Sequence, residues 1–431
     1  MTPTPGEHGT WEGLWQHSPG LPHTPIDEES RRRWGLPRTL LPAPEGLRQP
    51  PVFDPALKQF GRAYRAGEPV FGDEAARRAW HRARRTALDL VLAGLSCGRW
   101  APHLVLRGSV LMATWFGEAA RDPGDLDFLV TPTGWAMDGP ETTGLFGDLA
   151  RDTEAAARAH GGVAIDAAGR VTEDIWTYDR VPGRRMVLPW TAPGTPGGTV
   201  QLDVVFNEPL PAAAEPTELR PLGDGPGAAV LAVSPGLSLA WKLLWLVTDA
   251  YPQGKDLYDA VLLAEQAPPS YELVRDAFLA AGCEGLRPPG DWWLAALSAG
   301  EGWEHFALDY PEVAAGAADC PDRLARALAP LLAEAGRPGD GAQDRWARWL
   351  EPLVRATRAR APADPASALG ALAEGGRDGL AAAVVIVREI LGREALGPEE
   401  ALRAVVAGDE RWAHWRDHPA SWRFVLELIG P

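Results

Sequence analysis

The chain has 431 residues, of which 45% are hydrophobic and 23% charged, and its formal net charge is −16 at pH 7. This length exceeds what one hydrophobic core usually supports, and the composition is that of a globular protein with more than one domain. The acidic balance argues against a general nucleic-acid coat, which needs a broad positive field, but it is compatible with a local basic groove.

The start of the chain lacks the pattern of a secretory signal, because no positively charged stretch is followed by an apolar core. The longest apolar runs, such as residues 380–387, are too short to cross a bilayer. The cysteines at positions 97, 283 and 320 are isolated, which argues against a disulfide framework or a zinc cluster. We therefore expect a cytoplasmic protein that has no membrane association.

The first 70 residues predict a Pro-rich N-terminal arm. Residues 1–51 contain ten prolines and few periodic apolar positions, a pattern typical of an extended segment. Trp11, Trp15 and Trp34 are candidate anchors onto the main body. A wrapped arm and a disordered tail both fit this composition.

Residues 71–232 predict a core that mixes helices and strands. Apolar residues recur at helical spacing in 73–96, and a second helix is expected at 144–160. Short apolar stretches predict strands at 103–108 and 125–130, with a brief helix at 110–117 between them. From 163 to 206, strand-like segments alternate with Gly and Pro turns, which indicates a sheet.

Residues 233–431 predict a mostly helical C-terminal region broken by Gly and Pro clusters. The expected fold class is therefore α+β: a mixed β-sheet core with flanking helices, followed by a helical C-terminal domain.

Two acidic residues occur in a segment that otherwise reads as a buried strand. In LRGSVLMATWFGEAARDPGDLDFLV, residues 106–130, Asp125 and Asp127 are spaced to project from one face. Adjacent buried carboxylates repel each other, and a divalent cation removes that cost. Magnesium is commonly held by one or two carboxylates together with substrate phosphates. The upstream Gly108 and Ser109 begin a helix whose exposed amides could receive a phosphate.

A third acid falls in the strand-like stretch TVQLDVVF, residues 199–206. If this strand lies beside 125–130, Asp203 joins Asp125 and Asp127 as a third metal ligand or as a general base. Simpler interpretations stay open at this point: Asp125 can belong to a PGD turn, Asp127 can be a surface acid, and Asp203 can be an edge-strand acid that faces water.

The sequence RGS, followed by DLDF and then LDVVF, resembles the nucleotidyltransferase fold of the DNA polymerase β superfamily. More narrowly, the chain resembles the AbiEii/AbiGii group, known as toxins of type IV toxin–antitoxin systems. That group carries a pattern K…RDxxD, which Lys242, Asp256 and Asp259 match here, with Lys255 in place of the usual arginine. The likeness covers roughly residues 100–265.

The resemblance implies an enzyme that moves a nucleoside monophosphate from a nucleoside triphosphate to an acceptor hydroxyl, using Mg²⁺ or Mn²⁺. Taking it together with the residues above, we assign catalysis to Asp125, Asp127, Asp203, Lys242 and Asp259, metal binding to the first three, and triphosphate binding to Gly108, Ser109 and Lys242. Arg107, which flanks the site, is a further candidate for phosphate binding. The resemblance also implies an RNA acceptor such as tRNA and a cognate antitoxin partner. The simpler interpretation of Asp256 and Asp259 is a pair of acids favoured by a helix dipole.

Two other functions are compatible with the sequence. A small-molecule nucleotidyltransferase of the aminoglycoside-modifying type would suit an acidic surface, and a non-catalytic nucleotide- or partner-binding protein could share the fold. The arginine-rich run at residues 77–85 could contact RNA phosphates, or it could be the solvated face of a helix that pairs with the acids of this chain. Arg121, which flanks the aspartates, is a further candidate for phosphate binding.

Overall fold

The chain forms two compact units in a computed structural model that describes residues 10–11, 20–177, 181–250, 252–297, 303–314, 317 and 319–430. The first unit contains residues 1–208 and 213–234, and the second contains 209–212 and 235–431. The three-part division expected from the sequence stays a prediction.

The first unit combines helices with two sheets. Its helices are α1 (Glu28–Trp34), α2 (Glu74–Cys97), α3 (Ser109–Phe116) and α4 (Pro140–His160). Its strands are β1 (Pro51–Phe53), β2 (Tyr64–Ala66), β3 (Leu104–Arg107), β4 (Leu126–Val130), β5 (Ala164–Ile165), β6 (Val171–Thr177), β7 (Val181–Ala192), β8 (Thr195–Val205), β9 (Glu215–Leu219) and β10 (Ala228–Ala232).

The larger sheet has eight strands in the order β5-β7-β8-β4-β3-β10-β9, with β6 also paired to β7. Strand β4 is parallel to β8, and β10 is parallel to β3, whereas the other pairs are antiparallel. The two strands that carry the predicted acids are therefore direct neighbours at the centre of the sheet.

One face of this sheet is apolar and is covered by helices. Leu126, Phe128 and Leu202 are fully buried there. Helix α2 packs on the same side, where Trp80 lies 5.6 Å from Trp190, centroid to centroid. Asp127 and Asp203 point to the opposite face, because successive residues of a strand point to opposite sides, and they share that face with the buried Leu129 and Val205.

The N-terminal segment, residues 20–70, is folded and belongs to the first unit. Leu21, Leu36 and Leu40 form a small core with Trp11, and Trp34 packs against it. Asp27 caps α1 by accepting from Ser30 N at 2.9 Å, and Gly35 closes the helix in the left-handed conformation. Trp15, the other predicted anchor, lies outside the described residues.

The second unit is helical in its described parts. Its helices are α5 (Pro235–Thr248), α6 (Gly254–Gln266), α7 (Tyr271–Ala280), α8 (Asp291–Leu297), α9 (Trp303–Asp309), α10 (Pro311–Ala314), α11 (Cys320–Ala335), α12 (Ala342–Trp349), α13 (Glu351–Arg360), α14 (Gly376–Leu391), α15 (Pro398–Gly408), α16 (Ala413–Asp417) and α17 (Trp422–Ile429). Helix α14 forms its centre, with Leu380 through Val387 all buried.

The predicted α+β fold class, a mixed sheet with flanking helices followed by a helical region, is confirmed. Helix α4 starts at Pro140, four residues before the predicted start, because Pro140 occupies its first turn, where a missing N–H costs nothing. Among the described residues, none of the helices is long and apolar enough to span a bilayer.

Candidate functional site

The Gly-Ser pair forms a tight corner between β3 and α3. Gly108 has φ 85° and ψ −151°, a conformation that disfavours any residue with a side chain. An added Cβ would lie 3.2 Å from Cγ of Asp127 and would collide with its carboxylate. Ser109 is buried, and its Oγ donates to the backbone carbonyl of Asp125 at 3.5 Å. The corner is therefore packed directly against both aspartates.

A row of charged side chains crosses the sheet on the face opposite to α2. The register pairs Arg107 with Asp127, Asp127 with Asp203, and Asp203 with Arg185. Residues that are paired in this way point to the same face. The row thus runs through four adjacent strands as one cation, two carboxylates and a second cation, and it places Asp127 beside Asp203.

Asp125 precedes β4 and joins the same electrostatic environment. Burial raises the pKa of the Asp203 carboxyl, the charges of Asp125 and Asp54 act in the same direction, and Arg185 opposes them. Asp125 and Asp203 are therefore near enough for their charges to interact. The structure brings the three predicted acids to one end of β4.

Arg185 holds Asp203 in a fixed orientation. Its Nε and Nη2 donate to the two oxygens of Asp203 at 2.7 and 2.8 Å, and its Nη1 donates to Oδ2 of Asp54 at 2.7 Å. Burial disfavours a charged guanidinium, but the charges of Asp203 and Asp54 outweigh it and raise the pKa of Arg185. This bidentate contact uses two of about four acceptor positions on the Asp203 carboxylate.

The loop before Asp125 is held by the arginine-rich stretch of α2. Asp122 accepts from Nε of Arg85 at 2.7 Å and lies 3.6 Å from His81 Nδ1 and from Arg84 Nη2. Although burial raises the pKa of Asp122, hydrogen bonds from His81 and Arg85 and the charge of Arg84 lower it to about 2. These residues of the run pair with acids of the chain, which is the simpler of the two interpretations. Arg121, in the same loop, is buried.

Arg107, a predicted phosphate contact, is 4% exposed. Its Nη1 forms an ion pair with Oε2 of Glu208 at 2.5 Å. A phosphate at this position would therefore compete with a carboxylate that is already bound.

The remaining predicted residues lie in the second unit, where Lys242 joins two helices. Its Nζ is 2.7 Å from Oδ1 of Asp256 and 3.0 Å from Oδ2 of Asp259. All three side chains are buried, and the ammonium lies 5.3 Å from the ring centroid of Trp245. The K…DxxD pattern thus forms a buried ion cluster between α5 and α6.

Two residues that support the charged row were not predicted from the sequence: Arg185, which is part of it, and Asp54, which binds Arg185. Arg185 carries a recognisable signal, because a charged residue occupies an inward position of a strand whose neighbours Val187 and Leu188 are apolar. Asp54 has no such signal in the sequence, because VFDPAL predicts only that it caps the following turn. It does cap that turn, since it accepts from Ala56 N at 3.0 Å.

A family model described as nucleotidyl transferase AbiEii toxin, type IV TA system, matches residues 90–368. Among solved structures, MenT4, a nucleotidyltransferase toxin from Mycobacterium tuberculosis H37Rv, is similar at 19% sequence identity, with 64% of this chain and 90% of that chain covered and a TM-score of 0.41. None of the curated proteins matches. Because the family model spans more than half of the sequence, the resemblance noted above is confirmed, and the chain belongs to the AbiEii family of nucleotidyltransferase toxins of type IV toxin–antitoxin systems.

Proposed function

We propose that this nucleotidyltransferase uses Mg²⁺ to move a nucleoside monophosphate from a nucleoside triphosphate to a hydroxyl of an RNA such as tRNA. The observation that carries the proposal is the register of Asp127 with Asp203, with Gly108 packed against the Asp127 carboxylate. Carboxylates grouped beside a glycine-opened helix start suit a triphosphate and its cation.

In the proposed reaction, the acceptor oxygen attacks the α-phosphorus, and the bond from that phosphorus to the bridging oxygen of the β-phosphate breaks. Pyrophosphate leaves, and the hydroxyl proton passes to a carboxylate oxygen. Asp203 is our candidate for that base, with Asp125 and Asp127 next to it. In-line displacement of this kind depends mainly on positioning and on stabilising the charge that develops on the phosphate oxygens.

The acids fit a hard divalent cation. Within the described ranges, no three His, Cys, Asp or Glu side chains are arranged to hold a metal ion by themselves, and magnesium, which is commonly bound by one or two carboxylates plus substrate phosphates, does not require such a cage. Asp125 and Asp127 would supply the protein ligands, and Asp203 retains acceptor positions beyond its contact with Arg185. When bound, the cation would neutralise phosphate charge. That all three acids ligate one ion stays a prediction, and Mn²⁺ is an expected substitute.

Binding of the triphosphate is assigned to the Gly108–Ser109 corner, through the backbone amides at the start of the eight-residue helix α3. Arg107 would contribute if a phosphate displaced Glu208. The roles of Lys242 and Asp259 in catalysis rest on the family motif alone.

The direct test offers each radiolabelled nucleoside triphosphate, with MgCl₂ and total tRNA, to the full-length protein. We expect label in tRNA from one or more nucleotides, loss of labelling with EDTA, and loss of labelling in Asp127→Asn. Full activity in Asp127→Asn would overturn the site. Label in an added aminoglycoside and none in RNA would favour the small-molecule alternative, which the net charge of −16 makes the main competitor.

The type IV family also implies an antitoxin partner for this chain. We expect expression of the wild-type chain to arrest growth of a host cell and co-expression of its cognate antitoxin to restore growth. A growth arrest that persists in Asp127→Asn would show that toxicity does not require nucleotide transfer.

A further inference from the structure

The N-terminal segment lies outside residues 90–368, the part of the chain that the family model matches. Two of its acids bind arginines near the site: Asp54 binds the arginine that holds Asp203, and Glu68 binds one that holds the loop before Asp125. We propose that this segment positions the catalytic acids from two sides, through Asp54 on one side and Glu68 on the other. The inference rests on the proposed function, because it concerns the same three aspartates.

The first link runs through the sheet. Asp54 accepts from Nη1 of Arg185 at 2.7 Å, and Arg185 binds both oxygens of Asp203. Arg185 is 2% exposed, so water cannot easily replace a lost carboxylate partner. Nε of Arg65, in the same segment, lies 3.8 Å from Oδ2 of Asp54 and helps to keep it ionised. Without Asp54, Arg185 would keep one carboxylate partner and could rotate, carrying Asp203 with it.

The second link runs through helix α2 to the loop before β4. Oε1 of Glu68 lies 2.6 Å from Nη1 of Arg84. The other end of that guanidinium donates to the carbonyl of Pro123 at 3.5 Å and lies 3.6 Å from Asp122. Pro123 is two residues before Asp125, so Glu68 fixes the arginine that holds the approach to the first metal-binding aspartate.

The segment is packed against strand β6, which holds Asp54 in place. Leu57 and Ala63 form a buried cluster with Ile175 of β6. Nε2 of Gln59 donates to the carbonyl of Asp174 at 2.7 Å. A segment held by apolar burial and by a hydrogen bond to the sheet can act as a fixed support for Asp54.

Asp54 and Glu68 are therefore positioning residues. Neither belongs to the row of Arg107, Asp127, Asp203 and Arg185, and each acts through an arginine. Groups that orient metal ligands in this way typically contribute about 10- to 100-fold to metal affinity or activity.

The test uses full-length Asp54→Asn and Glu68→Gln, which keep side-chain size and an acceptor oxygen but remove the charge. Gln59→Ala is the matched control, since it weakens docking of the same segment and leaves both charge links intact. We measure kcat, the KM for the triphosphate, and Mn²⁺ affinity by electron paramagnetic resonance in the presence of the α,β-methylene analogue of that triphosphate. Thermal melting accompanies each variant.

We expect both charge variants to lose kcat and Mn²⁺ affinity by about 10- to 100-fold, with a smaller change in KM, and we expect Gln59→Ala to keep both. If Asp54→Asn fails to fold, Glu68→Gln decides the matter alone. Wild-type kcat and Mn²⁺ affinity in the folded charge variants would overturn the inference while leaving the proposed function intact, provided that Asp127→Asn is inactive. Activity in Asp127→Asn would instead refute the proposed function itself.

Discussion

Gly108 is the residue at which backbone and carboxylate approach most closely in the site. Its φ of 85° is unfavourable for other residues, and the space for a Cβ is already filled by Asp127. We expect Gly108→Ala to lower kcat by about 100-fold, because a displacement of about 1 Å at a reacting group has effects of that size. Steady-state kinetics with the labelled triphosphate measures it.

Gly117, at the other end of the same helix, provides the control. It also has positive φ, 55°, but an added Cβ meets nothing within 4 Å. Gly117→Ala should cost about 1–3 kcal/mol in free energy of unfolding through backbone strain and should keep its turnover. Equal loss of kcat in both variants would mean that strain, rather than the contact with Asp127, causes the defect.

Asp122 makes the stability of the first unit depend on pH. Its folded-state pKa of about 2 lies below the ordinary value of 3.8. A depressed carboxyl pKa stabilises the fold above the unfolded pKa, and that contribution is lost as the pH falls from about 4 to about 2. We expect Asp122→Asn to lower the free energy of unfolding by about 2 kcal/mol at pH 7, with the difference from wild type shrinking below pH 4.

Chemical denaturation at several pH values measures this difference. Asp224→Asn, at an exposed acid of the same unit, is the control and should follow the wild-type curve. A constant difference between Asp122→Asn and wild type from pH 7 to pH 3 would contradict the assignment of the low pKa to Asp122.

At the level of elements, Lys242 connects α5 and α6 through two buried carboxylates. Removing one partner of a buried ionic cluster is costly, because the remaining charges lose their compensation. We expect Lys242→Met to destabilise the second unit by about 3–5 kcal/mol, as measured by denaturant unfolding. Lys255→Ala, on α6 and half-buried, is the control and should cost about 0.5 kcal/mol or less.

The measured stability of Lys242→Met decides how a loss of activity in that variant is explained. An inactive Lys242→Met that is also strongly destabilised would be explained by the lost ion cluster. An inactive variant with wild-type stability would contradict the structural role and would favour direct action of Lys242 on the phosphates.

The elements around the site could be predicted from local pattern, because alternation in β4 and β8 puts Asp127 and Asp203 on the face opposite to that of the buried Phe128 and Leu202. The sequence contains no local information on which strands are neighbours, so the register of Asp127 with Asp203 required the folded sheet. The same limit hid the partners of Arg185, since Asp54 lies 131 positions away in the chain. Ion pairs between residues far apart in the chain depend on how the strands are arranged, and the secondary-structure propensities of the residues carry no information on that arrangement.

For the whole molecule, charge limits how an RNA acceptor can be recognised. The chain has 42 Lys and Arg residues and 58 Asp and Glu residues. Non-specific binding to nucleic acid arises from broad neutralisation of phosphates by Lys and Arg, with release of counterions. A protein with this balance should therefore bind random nucleic acid poorly, and an RNA substrate would have to be selected by its shape and by a few local contacts.

We accordingly expect excess random duplex DNA to leave the labelling of tRNA almost unchanged at about 0.15 M salt, where charges separated by more than about 8 Å are largely screened. Unlabelled tRNA at the same nucleotide concentration should compete fully. The measurement is the initial rate of label transfer with each competitor. If duplex DNA competes as well as tRNA, the chain must present an extended basic surface in spite of its net charge, and electrostatic attraction, rather than the shape of the acceptor, would then select the substrate.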